Sequence, residues 1–192
     1  MTLPNKITFG RLLLAFIVVA LLLLPGFPNQ FTWAAIIFVL AASTDFIDGM
    51  IARRTKTTSG LGAFMDPLAD KFLILLTFVV LATMNLYPLW LFVLMLARDL
   101  LNDAYRNYAA SQRIIIGANP ASKLKTTLQM LSLMSALLVL VFRHEQIQAL
   151  STASADLLLQ IANILMLAAL LVGVVGTAQF IAKHSRIISG NE

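Results

Sequence analysis

Residues 32–53 read TWAAIIFVLAASTDFIDGMIAR, an apolar run long enough to cross a bilayer that carries two aspartates, Asp45 and Asp48, in its last third. About 20 mostly apolar residues span a hydrocarbon core. Within that core the backbone must satisfy its own polar groups, which selects helix. An ionised carboxylate there is costly without a partner or water, so the same stretch sets the fold and poses a question about function. Working outward, comparable apolar runs cover roughly 8–25, 63–84, 88–110, 120–142 and 156–182.

The whole chain, 192 residues with 59% hydrophobic and 12% charged, lies outside the composition of an ordinary soluble domain. The expectation is an all-α polytopic membrane protein: six transmembrane helices in one domain, 1–192, with a short N-terminal interfacial segment over Met1–Arg11. Pro25, Gly26 and Pro28 break the chain after the first span, and Tyr87 and Pro88 do so after the third. Pro67 either opens the third helix or interrupts it. The run Leu12–Leu24 follows Lys6 and Arg11 as a secretion signal would, but no small-residue cleavage site follows and five further spans do. Cysteine is absent, which excludes disulfides and thiolate metal sites.

The net charge of +5 reflects topology rather than nucleic-acid binding. With six spans and a cytoplasmic N-terminus, the lysines and arginines fall at cytoplasmic helix ends, and Arg143 alone lies on the far side, as the positive-inside rule requires. No polar surface interleaves basic and aromatic residues as nucleic-acid binding would need.

Asp45 and Asp48 stand three apart near the end of the second span, and Asp66 and Asp70 four apart at the start of the third. Each pair shares a helix face. The short connection at 54–60 makes the two helices antiparallel neighbours, so the pairs converge. Four carboxylates in one pocket repel unless cations neutralise them. Oxygen-only donors suit hard ions such as Mg2+ or Mn2+, and with no cysteine and no nearby histidine zinc and copper are disfavoured. The competing reading is salt bridges from these acids to Arg53, Arg54 and Lys71. Gly49 and Ala52, with Gly60 and Gly62, leave space for a bulky group to approach the backbone.

Asp45-x2-Asp48-Gly49-x2-Ala52-Arg53-x8-Gly62-x3-Asp66-x3-Asp70 fills eight fixed positions across twenty-six residues. This string resembles the complete signature of the CDP-alcohol phosphatidyltransferases, and the six-span layout extends the resemblance over nearly the whole chain. The resemblance implies an enzyme in which Asp45, Asp48 and Asp66 bind metal, Asp70 binds metal and also acts as general base, and two divalent ions hold the pyrophosphate of a CDP-linked lipid. It further implies that Gly49, Ala52, Arg53 and Gly62 line the CDP pocket, that the protein is a homodimer joined through membrane helices, and that it sits in a bacterial inner membrane with its active site facing the cytoplasm.

Arg98 and Arg106 in the fourth span and Lys123 and Lys125 at the start of the fifth form a second constellation. Such groups suit an anionic acceptor phosphate; snorkelling, or pairing with Asp99 and Asp103, is the plainer explanation. Leu3-Pro4-Asn5-Lys6-Ile7-Thr8, Ala97-Arg98-Asp99 and Lys123-Leu124-Lys125-Thr126-Thr127-Leu128-Gln129 resemble the branch of the family that uses CDP-diacylglycerol and glycerol 3-phosphate. The chain departs from that branch where Asp99 replaces the usual glutamate and in Asn102-Asp103-Ala104-Tyr105. A cardiolipin-forming relative with phosphatidylglycerol as acceptor is the first alternative. An ion-coupled transporter is disfavoured because no polar path continues from the acids to the other face.

Overall fold

A computed structural model describes residues 3–55, 60–112, 120–145 and 152–183, with side chains described for all of these except 3–8, 45–55, 60–68, 70, 152 and 183. Its six helices are α1 (Leu3–Leu23), α2 (Gln30–Thr55), α3 (Gly60–Thr83), α4 (Leu89–Ser111), α5 (Pro120–His144) and α6 (Thr152–Lys183). All regular structure among the described residues is helical.

The apolar runs mark these helices closely, with one correction. The N-terminal segment is not a separate interfacial element, because α1 runs unbroken from Leu3. Pro4 falls in its first turn, where the missing N–H has no intrahelical partner to lose. Arg11, expected near an interface, is 2% exposed. Pro67 neither opens nor ends α3, which starts seven residues earlier at Gly60 and continues past it.

Turn chemistry explains two of the connections. Gly26 and Asn29 take positive φ, 100° and 52°, in the turn between α1 and α2. Asn85, at φ 61°, ends α3 in a Schellman arrangement: Leu86 N–H donates to Leu81 O at 3.0 Å and Asn85 N–H to Ala82 O at 3.1 Å. The start of α2 is capped from a distance, since Thr32 N–H donates to Glu145 Oε1 at 2.9 Å and the Thr32 hydroxyl donates to Oε2. A carboxylate at that position satisfies an orphan amide and complements the helix dipole.

Helix α5 is the hub, packing on α6 most extensively and also on α2 and α3; α1 packs on both α2 and α3, which touch each other along a short front. Phe38, Phe78, Leu91, Met95, Leu133, Leu137 and Met166 fill the interior. Polar links tie α5 and α6 to each other and to the turn after α3. Tyr87 Oη donates to Ser132 O at 2.8 Å, while the Ser132 hydroxyl donates to Ala162 O at 2.6 Å. Asn163 Nδ2 donates to Leu86 O at 3.0 Å.

The exterior is inverted relative to a soluble protein. Leu13, Leu94, Leu131, Leu171 and Ile164, the last 66% exposed, lie outside, whereas Arg11, Arg98, Asp99, Lys125 and Gln129 are buried. An extensive exposed apolar surface marks contact with lipid or partner. Helices α5 and α6 are long and apolar enough to cross a membrane, and the apolar portions of α1, α2 and α3 within the described residues run over Phe9–Leu23, Gln30–Thr44 and Lys71–Thr83. The molecule is a membrane protein built of packed helices.

Candidate active site

The acidic motif occupies the end of α2 and the start of α3. Asp45 and Asp48 lie ten and seven residues before Thr55; Asp66 and Asp70 lie six and ten residues after Gly60. At 1.5 Å per residue the first pair stands ~15 and ~10 Å from its helix end and the second ~9 and ~15 Å from its own. Two helices in contact and joined by four residues form an antiparallel hairpin. Counted along the chain, Asp48 and Asp66 are about equally far from the connection, and so are Asp45 and Asp70. The side chains of all four, and those of Gly49, Ala52, Arg53 and Gly62, lie outside the described residues. Gly49, Ala52 and Arg53 occupy the closing turns of α2, and Gly62 the first turn of α3.

The donor set fits a hard divalent cation: every motif donor is a carboxylate, and the one histidine among the described residues, His144, ends α5, where its Nδ1 lies 3.2 Å from Leu140 O. Beside the motif, buried Arg11 of α1 donates from Nε to Thr44 Oγ1 at 3.3 Å. Thr44 immediately precedes Asp45 and stands one turn before Asp48, so a guanidinium is anchored at the level of the acids. In the sequence Arg11 falls among the topological charges. A buried position for an arginine, which demands an anionic or hydrogen-bonding environment, is not visible without the packing.

The second constellation divides. Arg98 and Lys125 come together on Asp99: Lys125 Nζ donates to Asp99 Oδ1 and Oδ2 at 2.7 and 2.8 Å, and Arg98 Nη1 donates to Oδ1 at 2.8 Å. Arg98 and Asp99 are each only 8% exposed, so the group is one net positive charge held almost out of water. Arg106, half-buried two turns further along α4, and Lys123, exposed at the start of α5, stay out of this cluster. Lys71, weighed as a partner of the motif acids, pairs with Asp103 and ties α3 to α4.

Against the cluster opens a cavity of about 210 Å3 lined by Lys71, Ile74, Leu75, Asp99, Lys125, Thr126 and Gln129. Lys71 adjoins Asp70 in sequence and Ile74 follows Asp70 by one helical turn, so the cavity begins directly beyond the last acid of the motif. Three participants went unrecognised in the sequence. Asp99 figured as a plain salt-bridge partner and as a departure from the branch pattern. Gln129 shares the Lys125 face at i+4, a spacing that was available to be read. Gly173 on α6, where a Cβ would meet Arg98 Nε at 3.0 Å and Lys125 Cδ at 3.2 Å, gives no signal within its apolar run.

Comparison with known proteins points the same way. The CDP-alcohol phosphatidyltransferase family model matches residues 1–175. The CDP-diacylglycerol--glycerol-3-phosphate 3-phosphatidyltransferase of Bacillus subtilis (strain 168) is 31% identical over 147 residues, covering 71% of this chain and 76% of the relative. Proteins of the same name from Pectobacterium atrosepticum and Yersinia enterocolitica are both 37% identical, over 155 residues (75% of this chain, 79% of the relative) and 147 residues (71% and 77%).

Proposed function

The chain belongs to the CDP-alcohol phosphatidyltransferase family, and from that premise we propose that it transfers the phosphatidyl group of CDP-diacylglycerol to glycerol 3-phosphate, giving phosphatidylglycerol phosphate and CMP. The observation that carries the choice of acceptor is the Arg98–Asp99–Lys125 cluster beside a cavity one turn from Asp70. A buried group with one surplus positive charge suits a small phosphorylated alcohol. The names of the relatives support the same acceptor.

In this reading Asp45, Asp48, Asp66 and Asp70 hold divalent cations, Mg2+ or Mn2+ and two in number, which supply charge neutralisation at the pyrophosphate and at departing CMP. Gly49, Ala52, Arg53 and Gly62 line the CDP pocket, the small residues admitting it close to the backbone. Arg98 and Lys125 orient the acceptor phosphate; Arg106 and Lys123 draw it in from the rim. Asp70 takes the proton of the attacking hydroxyl. A bond forms between that oxygen and the phosphatidyl phosphorus as the bond from phosphorus to the CMP oxygen breaks, a displacement governed by positioning and electrostatics. The reading includes six spans, an active site facing the cytoplasm of the bacterial inner membrane, and a homodimer.

Purified protein in detergent, given CDP-diacylglycerol, Mg2+ and a panel of alcohols, tests this directly. CMP release with glycerol 3-phosphate, abolished by chelator and restored by Mg2+ or Mn2+, is the expected result. Release with phosphatidylglycerol and not with glycerol 3-phosphate would move the protein to the cardiolipin-forming branch, and no release with any alcohol would overturn the enzymatic reading.

A further inference from the structure

Gln129 on α5 is 1% exposed, and its Nε2 has no hydrogen-bond partner among the described residues. A buried amide without a partner is unfavourable, and its persistence calls for a reason. Gln129 also lines the cavity that holds Lys125 and Asp99, one helical turn further along α5 than Lys125. Thr77 Oγ1 is likewise buried and unpartnered, but Thr77 does not line this cavity. The Nε of Arg98 is unpartnered too, but it faces the backbone of Gly173.

We infer that Gln129 recognises the middle hydroxyl of the acceptor, the one not consumed in the reaction, and so makes the site selective for a phosphorylated triol over a phosphorylated diol. The inference rests on the reading of the acceptor given above. Lys125, which Asp99 holds together with Arg98, lines the cavity and supplies a phosphate contact, and Asp70 stands one turn before the cavity wall at Ile74. An acceptor lying between these points has its central carbon in the remaining space, which Gln129 borders. A hydroxyl both donates and accepts, so it satisfies the amide whichever way the amide is turned. A site built to bond a hydroxyl strongly rejects an analogue lacking it, because the buried polar group is then left unpaired.

The test compares sn-glycerol 3-phosphate with 3-hydroxypropyl phosphate, which keeps the phosphate and the terminal nucleophile and lacks the middle hydroxyl. CMP release is followed in the full-length enzyme, Gln129→Met and Gln129→Leu. The wild type is expected to favour glycerol 3-phosphate by at least about tenfold in kcat/KM. Both variants are expected to lose that preference by a rise in KM for glycerol 3-phosphate alone, with KM for CDP-diacylglycerol unchanged. A preference kept in either active variant, or equal use of the two acceptors by the wild type, overturns the role of Gln129. The wild-type ratio decides even where a variant fails to fold. A wild type that releases CMP with neither phosphate would instead sink the acceptor assignment itself, which separates the two failures.

Discussion

Gly173 on α6 stands directly behind the Arg98 guanidinium of α4: a Cβ there would lie 3.0 Å from Arg98 Nε and 3.2 Å from Cζ. The arginine cannot retreat freely, because Nη1 is held by Asp99 at 2.8 Å. Gly173→Ala is therefore expected to push Arg98 and Lys125 out of register, raising KM for glycerol 3-phosphate several-fold while KM for CDP-diacylglycerol stays constant. Gly173→Val adds overpacking of about 1–3 kcal/mol and should lower the melting temperature in detergent as well. Steady-state kinetics in both substrates checks the split; an unaltered acceptor KM in Gly173→Ala would dissociate the cluster from acceptor binding.

Asp99 holds two cations in a space that excludes most water. Asp99→Asn removes the shared anion and leaves Arg98 and Lys125 facing each other, a change of the kind that costs about 3–5 kcal/mol when a buried pair is broken. Thermal unfolding in detergent should show a large loss. Saturating glycerol 3-phosphate should recover part of it, because an anion that binds only the folded state stabilises it by mass action. Asp99→Glu keeps the charge and is expected to remain active.

Tyr87 contributes away from the chemistry. Its hydroxyl meets both Ser132 O and Ser132 Oγ at 2.8 Å, and its ring packs edge-on to Phe78. Tyr87→Phe should cost about 0.5–1.5 kcal/mol with kcat/KM unchanged. Burial raises the pKa of this phenol above its ordinary value. The native state thus keeps its proton where the unfolded chain has begun to release it, and the stabilisation is complete below a pH of about 10 and declines above it. Unfolding midpoints measured from pH 8 to 11 should fall at the alkaline end in the wild type and more shallowly in Tyr87→Phe.

The helices were legible because apolar run length is a strong local signal, and turn residues such as Gly26 and Pro88 mark their ends. The start of α1 was misjudged because Met1–Arg11 is short and mildly amphipathic, which suits an interfacial segment, whereas the helix runs unbroken from Leu3. Within the second constellation the sequence named all four cations but could not rank them. Lys123 and Lys125 are two apart on a helix and so point in different directions, and only packing against α4 decides that Lys125 meets Asp99 while Lys123 faces outward. Gly173 and the burial of Arg11 depend on contacts between helices far apart in sequence, which no local pattern encodes.

Asp70 is the acid whose proposed role differs from that of its companions, and its place beside the cavity makes the difference testable. It stands one turn before Ile74 in the cavity wall. Asp70→Asn preserves size and removes the proton acceptor, so kcat should fall by about 10²–10⁴-fold, with CDP-diacylglycerol binding nearly intact. Asp48→Asn, by contrast, weakens a proposed cation site and should raise the Mg2+ concentration needed for half-maximal rate. Donor binding measured separately from turnover, across a Mg2+ titration, distinguishes the two. If Asp70→Asn showed only a shifted Mg2+ requirement and full turnover at saturation, Asp70 would be a ligand alone and the proton would have to leave by another group.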